Sequence, residues 1–310
     1  MLKYLIILLD DTSVSYCHYE NRKTERRLIS LDDLKAGIVF AMKQNLTVQF
    51  VYPNYELPNE YKTAIETIDH TKICPASLKE ENADVLCVEN LKNIDANQNE
   101  ILVCKISKEE LFNSYEKLIP VLENVNRLNI VISDIDKFSE TDFSTYKDIL
   151  GKLVEKIKKQ YANGRISQIN ILTDRILLDR MNNCNAGAES ITFAPDGKFY
   201  VCPAFYFEDG NESVGNLTEG INIKNSQLYR LEYAPLCRKC DAFQCKRCVW
   251  LNRKTTHEIN TPSHEQCVTA HLERNASREL LLELQRYFPD REIEKIDYLD
   301  PFEVRDKYKN

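Results

Sequence analysis

Seven cysteines between positions 184 and 267 are the residues of this sequence best suited to chemistry. The densest run reads Cys237-x2-Cys240-x4-Cys245-x2-Cys248. Each CxxC pair lets two thiolates turn toward one ion or cluster, and four soft thiolates suit zinc or iron–sulfur. Cys184 and a Gly197-x4-Cys202 unit lie upstream, and Cys267 lies downstream. Seven thiols exceed one four-ligand site, so they imply two centres, or one centre with spare thiols. A compact zinc site from Cys237, Cys240, Cys245 and Cys248 is one arrangement open to them. His264, Cys267 and His271, spaced by three and four, fall on one face of a helix. An imidazole there could complete an under-ligated centre; otherwise both histidines are ordinary polar helix residues. Arg238, Lys239, Lys246 and Arg247 interleave with the cysteines, either offsetting thiolate charge or facing solvent.

The other four cysteines are scattered. Cys74, Cys87 and Cys104 read as small buried hydrophobes, the last two lying inside apolar runs. No secretion signal is evident: Met1-Leu9 is apolar but lacks a positive leading region and a small-residue cleavage site, so it reads as a first strand. The setting implied is a reducing cytoplasm, where cysteines stay as thiols or ligands and not disulfides. The net charge of -7 lacks the basic footprint of general nucleic-acid binding. No apolar run reaches about 18 residues, which argues against a membrane span.

The cysteines must be positioned by a framework, and 310 residues with 43% hydrophobic content suffice for one large or two ordinary domains. Tyr4-Leu9, Thr47-Val51, Val85-Val88, Ile101-Ile106, Leu128-Ser133 and Ile169-Leu172 read as buried strands. Helices separate them. One starts at Ser30, with Asp33 as the matching acid; another carries Phe143, Tyr146, Ile149, Leu150, Leu153, Val154 and Ile157 as one stripe. Strands alternating with helices predict an α/β fold, a partial (βα) barrel or an open, mainly parallel sheet, over residues 1–176.

Residues 177–288 read as a second, loop-rich domain. Ile191-Ala194 and Phe199-Cys202 flank Pro195-Asp196-Gly197, a hairpin signal. A helix from about Ser263 to Phe288 closes the domain, with Val268, Leu272, Ala276, Leu280, Leu284 and Tyr287 as its stripe and Pro289 as its stop. The tail 289–310 is highly charged and expected to dock loosely.

The order Cys184, Gly197-x4-Cys202, double CxxC-type pair, Cys267 resembles the SPASM domain of radical SAM peptide maturases. Asp196-Gly197-Lys198-Phe199-Tyr200-Val201-Cys202-Pro203 is similar to that domain's hairpin, and Val214-Gly215-Asn216-Leu217 to the segment after it. The resemblance implies auxiliary 4Fe-4S clusters: one on Cys237, Cys240, Cys245 and Cys267, the other on Cys184, Cys202 and Cys248 with one iron open or otherwise ligated. The central spacing here is x2, x4, x2, where the family favours x2, x5, x3.

A radical SAM domain ahead of such a module requires CxxxCxxC after its first strand. The matching stretch, Asp11 to Glu20, keeps only Cys17, with Ser13 and Glu20 where cysteines belong. Val51-Tyr52-Pro53-Asn54 stands where the glycine-rich turn is expected, and Gly37 is the single glycine of residues 1–150. A cofactor cradle usually needs glycine for close backbone approach. The first domain therefore reads as degenerate, with no SAM site. The combination resembles the CXXX repeat peptide maturases, most of all in Cys248-Val249-Trp250-Leu251-Asn252-Arg253-Lys254 and Thr261-Pro262-Ser263-His264-Glu265-Gln266-Cys267. That resemblance implies an accessory or maturation protein that binds a cysteine-repeat precursor peptide or a radical SAM maturase. The basic residues of the cysteine region, with Arg253, Lys254, Trp250 and Tyr233, suit the gripping of an extended chain.

Overall fold

The computed structural model describes residues 1–78, 82–91, 94, 101–165, 168–208, 212–300 and 302. Part of the charged tail, 301 and 303–310, lies outside the described residues. In chain order the first half holds β1 (Tyr4–Leu8), α1 (Leu31–Gln44), β2 (Thr47–Val51), α2 (Asn59–Ile65), β3 (His70–Pro75), β4 (Val85–Val88) and β5 (Ile101–Ile106). Then come α3 (Lys108–Ser114), α4 (Leu118–Asn124), β6 (Arg127–Ile132), α5 (Glu140–Ala162), β7 (Gln168–Ile169) and α6 (Asp174–Leu177). The remainder holds β8 (Ser190–Phe193), β9 (Lys198–Tyr200), α7 (Pro203–Glu208), β10 (Gly215–Asn216), β11 (Gly220–Ile221), α8 (Val249–Thr256) and α9 (His264–Tyr287). Among the described residues, no helix is long and apolar enough to cross a membrane.

The chain folds as two compact units, each drawn from separated stretches. The first comprises Met1–Cys87, Cys184–Arg238 and Cys248–Thr261; the second comprises Val88–Asn183, Lys239–Arg247 and Pro262–Asn310.

In the first unit β1 runs parallel to β2, β2 to β3, and β3 to β4. The cysteine-rich stretch joins this same sheet. β8 pairs parallel to the other side of β1, with Tyr4 opposite Ser190, and β9 and β10 follow antiparallel. Parallel strands buried on both faces read as continuous apolar runs, and Leu5, Ile7 and Leu8 are fully buried. The Ser30 hydroxyl accepts the Asp33 N–H to cap α1, as its spacing predicts. Gly37 lets that helix lie close on the sheet: a Cβ there would stand 3.1 Å from the Phe193 ring. Strand β3 escapes a reading by apolar runs because Lys72 interrupts it. Its ammonium meets Glu66 at 2.6 Å, which lets the rest of Lys72 be buried.

In the second unit β5, β6 and β7 are parallel. The predicted stripe of α5 is buried throughout and its helix starts in a Ser139–Asp142 capping box. Arg127 and Asp174 form a fully buried two-point ion pair at 2.9 and 2.7 Å, with Gln168 and Asn129 accepting two further guanidinium N–H groups. Such an arrangement satisfies both charges where water cannot. The tail up to Asp300 is pinned and not loose. Ile296 and Leu299 pack with Leu177 and Leu178, and the Ile296 N–H donates to the Leu177 carbonyl at 2.6 Å.

The stripe of α9 differs from expectation in its first half. Gln266, Thr269, Ala270 and Ser277 are buried, while Tyr287 is exposed. Polar partners account for part of this: the Gln244 amide donates to the Ala270 carbonyl at 2.7 Å and the Ser277 hydroxyl donates to the Leu172 carbonyl. Across from α9, the Tyr146 hydroxyl donates to Glu273 at 2.9 Å. Burial pushes the Glu273 carboxyl up from 4.5 to about 7, against the lowering pull of Gln244, Tyr146 and Lys246.

Between pH 4.5 and 7 the folded chain keeps a proton at Glu273 that the unfolded chain has lost. Stability contributed by this site is thus full below the lower value and falls as pH rises to the upper one. Thermal melts from pH 5 to 8 should show a shallower decline for Glu273→Gln than for the wild type. Parallel declines would remove Glu273 as the cause.

Candidate metal centre

The sheet of the first unit carries Cys184, Cys202 and Cys248 on separate supports. Cys184 precedes β8, and its carbonyl accepts the Ser190 hydroxyl at 3.2 Å. The turn between them is held by Gly187 at φ 76°, where a Cβ would strike the Tyr229 ring at 2.7 Å and approach Val201 at 3.1 Å. Val201 leads directly into Cys202 and α7. Cys248 caps α8 and accepts the Leu251 N–H on its sulfur at 3.5 Å. Arg253 ties α8 back toward α7: its guanidinium lies 5.5 Å from the Phe205 ring centroid and pairs with Glu212.

Cys248 and Cys184 both bear on Cys202. Burial pushes the Cys202 thiol well up, and the neighbouring Cys248 and Cys184 add to the effect, while the backbone N–H groups of Ala204 and Phe205 oppose it. Cys17, which sequence spacing isolates, belongs to the same group. Burial raises its thiol too, followed by Cys184, Cys248, Cys202 and Cys87. Nothing in local spacing signals this, because 167 positions separate Cys17 from Cys184. Its one clue was being the last cysteine of an otherwise missing motif.

Residues around Cys17 are committed to structure. Ser13, at one expected cysteine position, is fully buried, donates to the Val51 carbonyl at 2.9 Å and accepts the Asp10 N–H at 3.0 Å. Glu20, at the other, is ion-paired with Arg22 at 2.6 Å. Asp10 is held by Thr12 and by the Tyr55 hydroxyl at 2.8 Å.

The second unit carries Cys240, Cys245 and Cys267. The loop bearing the first two is fastened to α9 through Asp241, which meets Arg274 at 2.9 Å and Arg278 at 2.6 Å. Burial acts to raise the Asp241 carboxyl, but Arg274, Arg278 and Arg175 outweigh it and hold it below the usual carboxylate range. Cys240 accepts the Ala242 N–H on its sulfur at 3.4 Å and lies 3.5 Å from His271 Nε2. Burial, with Cys240 second, raises the Cys267 thiol. Burial and Arg274 lower His271, leaving a neutral imidazole, the form that ligates metals. His264 is elsewhere: exposed, 4.0 Å from Glu140 and ring-to-ring with Phe143 at 6.1 Å. Cys237 belongs to the first unit. Cys74, Cys87 and Cys104 are buried in strands.

Among the described residues, no three His, Cys, Asp or Glu side chains are disposed as around an ion. The donors nevertheless suit a soft cation. Backbone N–H groups directed at Cys202, Cys240 and Cys248 favour the thiolate that coordination requires. The cations expected to grip a chain are partly spent. Arg247 and Trp250 are buried, Lys246 lies 4.0 Å from Asp174, and Arg253 is paired. Arg238, Lys239, Lys254 and Tyr233 stay exposed.

No family model matches the sequence, and no curated protein matches it. Solved structures do. Native anSMEcpe with bound AdoMet and Cp18Cys peptide aligns with a TM-score of 0.64 at 13% identity, over 92% of this chain and 99% of that one. A histidine-tagged form of anSMEcpe with bound AdoMet aligns with a TM-score of 0.65 at 11% identity, over 93% and 96%. At such identity the likeness establishes the fold. The chain therefore shares, over nearly its whole length, the α/β fold of anSMEcpe, built on a large and mostly parallel sheet.

Proposed function

We propose that this chain is an accessory protein of a peptide-modification system, holding auxiliary 4Fe-4S clusters on its cysteines and binding a cysteine-repeat precursor peptide, a radical SAM maturase, or both. The observation that carries this reading is the grouping of the cysteines. Of the seven, Cys184, Cys202, Cys237 and Cys248 lie in the first unit and Cys240, Cys245 and Cys267 in the second, with backbone N–H groups aimed at sulfur in each. Burial, then neighbouring thiols, raise the thiols of Cys17, Cys202 and Cys267, a cost that a bound cation would relieve. The fold supports a peptide ligand, since anSMEcpe has been solved with one bound. It also supports kinship with the SPASM-containing maturases that the cysteine order resembles.

AdoMet is bound in those anSMEcpe structures as well. Here the positions of two motif cysteines are Ser13 and Glu20, both engaged in local bonds. One thiolate cannot hold a three-thiolate cluster, so this chain alone does not cleave SAM. A reducing, cytoplasmic setting fits the proposed chemistry. A zinc-stabilised interaction module is the second reading. The closeness of His271 to Cys240 favours it, because three thiolates and an imidazole suit zinc.

Anaerobically purified protein should be brown, contain iron and sulfide, and lose its visible absorption on chelation. Colourless protein with stoichiometric zinc would favour the interaction module. Reduced, reconstituted protein given SAM should form no 5′-deoxyadenosine above a no-protein control; formation of it would sink the degenerate-domain reading.

Metal-loaded protein should also retain a cysteine-repeat precursor peptide or a radical SAM maturase, in calorimetry or a pull-down at low salt. Retention of neither would count against the accessory role.

A further inference from the structure

The end of the chain differs in kind from the rest of the second unit. After α9, residues 289–300 form no helix, and their one strand-like contact is a parallel bridge from Ile296 to Leu178. More than half of these residues are charged. A segment of that composition takes a fixed path only where a surface receives it.

Residues 177–180 and Phe243 provide that surface. The Ile296 N–H donates to the Leu177 carbonyl at 2.6 Å, and the Asp179 N–H donates to the Ile296 carbonyl at 3.3 Å. This is the main-chain pairing by which an extended peptide adds to a strand. Arg180 Nε donates to the Asp297 carbonyl at 3.2 Å, again a contact with backbone. Side chains add selectivity. Ile296 and Leu299 are buried in one cluster with Leu177 and Leu178, and Ile293 and Phe243 pack against it. Asp300, directly after Leu299, is only 8% exposed. Glu294, Lys295 and Asp297, between these anchors, are exposed, and the exposed Lys295–Asp179 pair at 3.6 Å adds little. Phe243 is held independently of the tail: the Arg175 guanidinium lies 4.7 Å from its ring centroid, and its carbonyl accepts the Asn182 N–H at 2.7 Å. Two buried aliphatic side chains and one bridge must offset the ordering of the whole segment, which places it at the low-stability end of the unit. Upstream, the Arg291 guanidinium donates to the Tyr161 carbonyl at 2.6 Å and lies 5.3 Å from the Phe288 ring centroid, a tether that remains when the segment lifts.

We propose that the groove formed by residues 177–180 and Phe243 is a binding site for an extended peptide, held in the free protein by the chain's own segment 293–300 as a strap. The partner is a peptide with two aliphatic residues three positions apart and an acid directly after the second, the pattern of Ile296, Leu299 and Asp300. Backbone pairing with Leu177, Asp179 and Arg180 admits an extended chain of any sequence; the two aliphatic positions and the buried acid choose among such chains. A tethered strap competes at an effective concentration on the order of millimolar, so a peptide arriving from outside takes the groove only against that competition. The inference stands apart from the cluster and zinc readings, since none of its contacts involves a metal.

The test uses the full chain and a fluorescent peptide of residues 291–302, read by anisotropy. Wild type is compared with a double variant, Ile296→Glu with Leu299→Glu, whose own strap no longer fits the groove. The double variant should bind the peptide more tightly than wild type by about tenfold or more. A peptide carrying the same two substitutions should bind neither chain. Adding Arg180→Ala, a change at an exposed side chain, should weaken the binding several-fold. A folded double variant that binds the peptide no better than wild type overturns the proposal. A second measurement needs no variant. In hydrogen exchange of wild type, the Ile296 and Asp179 amides should exchange together, faster than those of β6 by about tenfold or more. Exchange as slow as in β6 would make the segment a permanent part of the core, and would overturn the strap even where the double variant fails to fold. Dimerisation of wild type that the double variant loses would assign the groove to the tail of a second copy and overturn the proposal likewise.

Discussion

The first unit depends on β1 being hydrogen-bonded on both sides by parallel strands. β2 pairs along one edge and β8 along the other, in register from Tyr4. A strand so placed has no polar edge left for water, so its side chains must be apolar on both faces, as Leu5, Ile7 and Leu8 are. The pairing with β8 brings residues far apart in sequence onto one sheet. The loop leaving β1 carries Cys17, the turn entering β8 carries Cys184, and the hairpin leaving β8 carries Cys202. A change that loosened β1 would disturb all three supports together.

Grouping thiols on such a framework has an energetic consequence. Removal from water disfavours the thiolate, and each neighbouring thiol disfavours it further. Backbone N–H groups directed at Cys202, Cys240 and Cys248 oppose that trend. On the reading proposed above, a bound cation would offset the first effect and match the second. The Asp241 contacts with Arg274 and Arg278 do similar preparatory work in the second unit, holding the Cys240 loop against the helix that bears Cys267 and His271.

The region where a catalytic cluster would sit in a radical SAM enzyme is occupied instead by a dense local network. Ser13 joins the ends of β1 and β2, Asp10 gathers Thr12 and Tyr55, and Asn21 donates to the Asp11 and Ser13 carbonyls at 2.8 Å. A loop that satisfies its own polar groups needs no ligand to order it. The order of this loop comes from the strand ladder and from Tyr19 stacked on Phe207.

Much of the framework was legible in the residues. Continuous apolar runs marked β1, β2, β4, β5 and β6, five of the seven strands β1–β7, at nearly full length, and the caps at Ser30 and Ser263 marked two helix starts. The hairpin was readable because Pro195-Asp196-Gly197 fixes a turn by local sterics. Those features are set by interactions within a few residues, which sequence displays directly. Strand β3 was not legible, since Lys72 is tolerated only through its pairing with Glu66. The buried face of α9 was misjudged because Gln244 and Leu172, distant in sequence, supply its polar partners. Spacing alone singled out the seven clustered cysteines as candidate metal ligands. That His271 and not His264 lies beside Cys240, and that the loop carrying Cys17 shares a unit with Cys184, Cys202 and Cys248, are decided by tertiary structure, because only the packing of α9 and the parallel ladder on β1 bring those distant segments together.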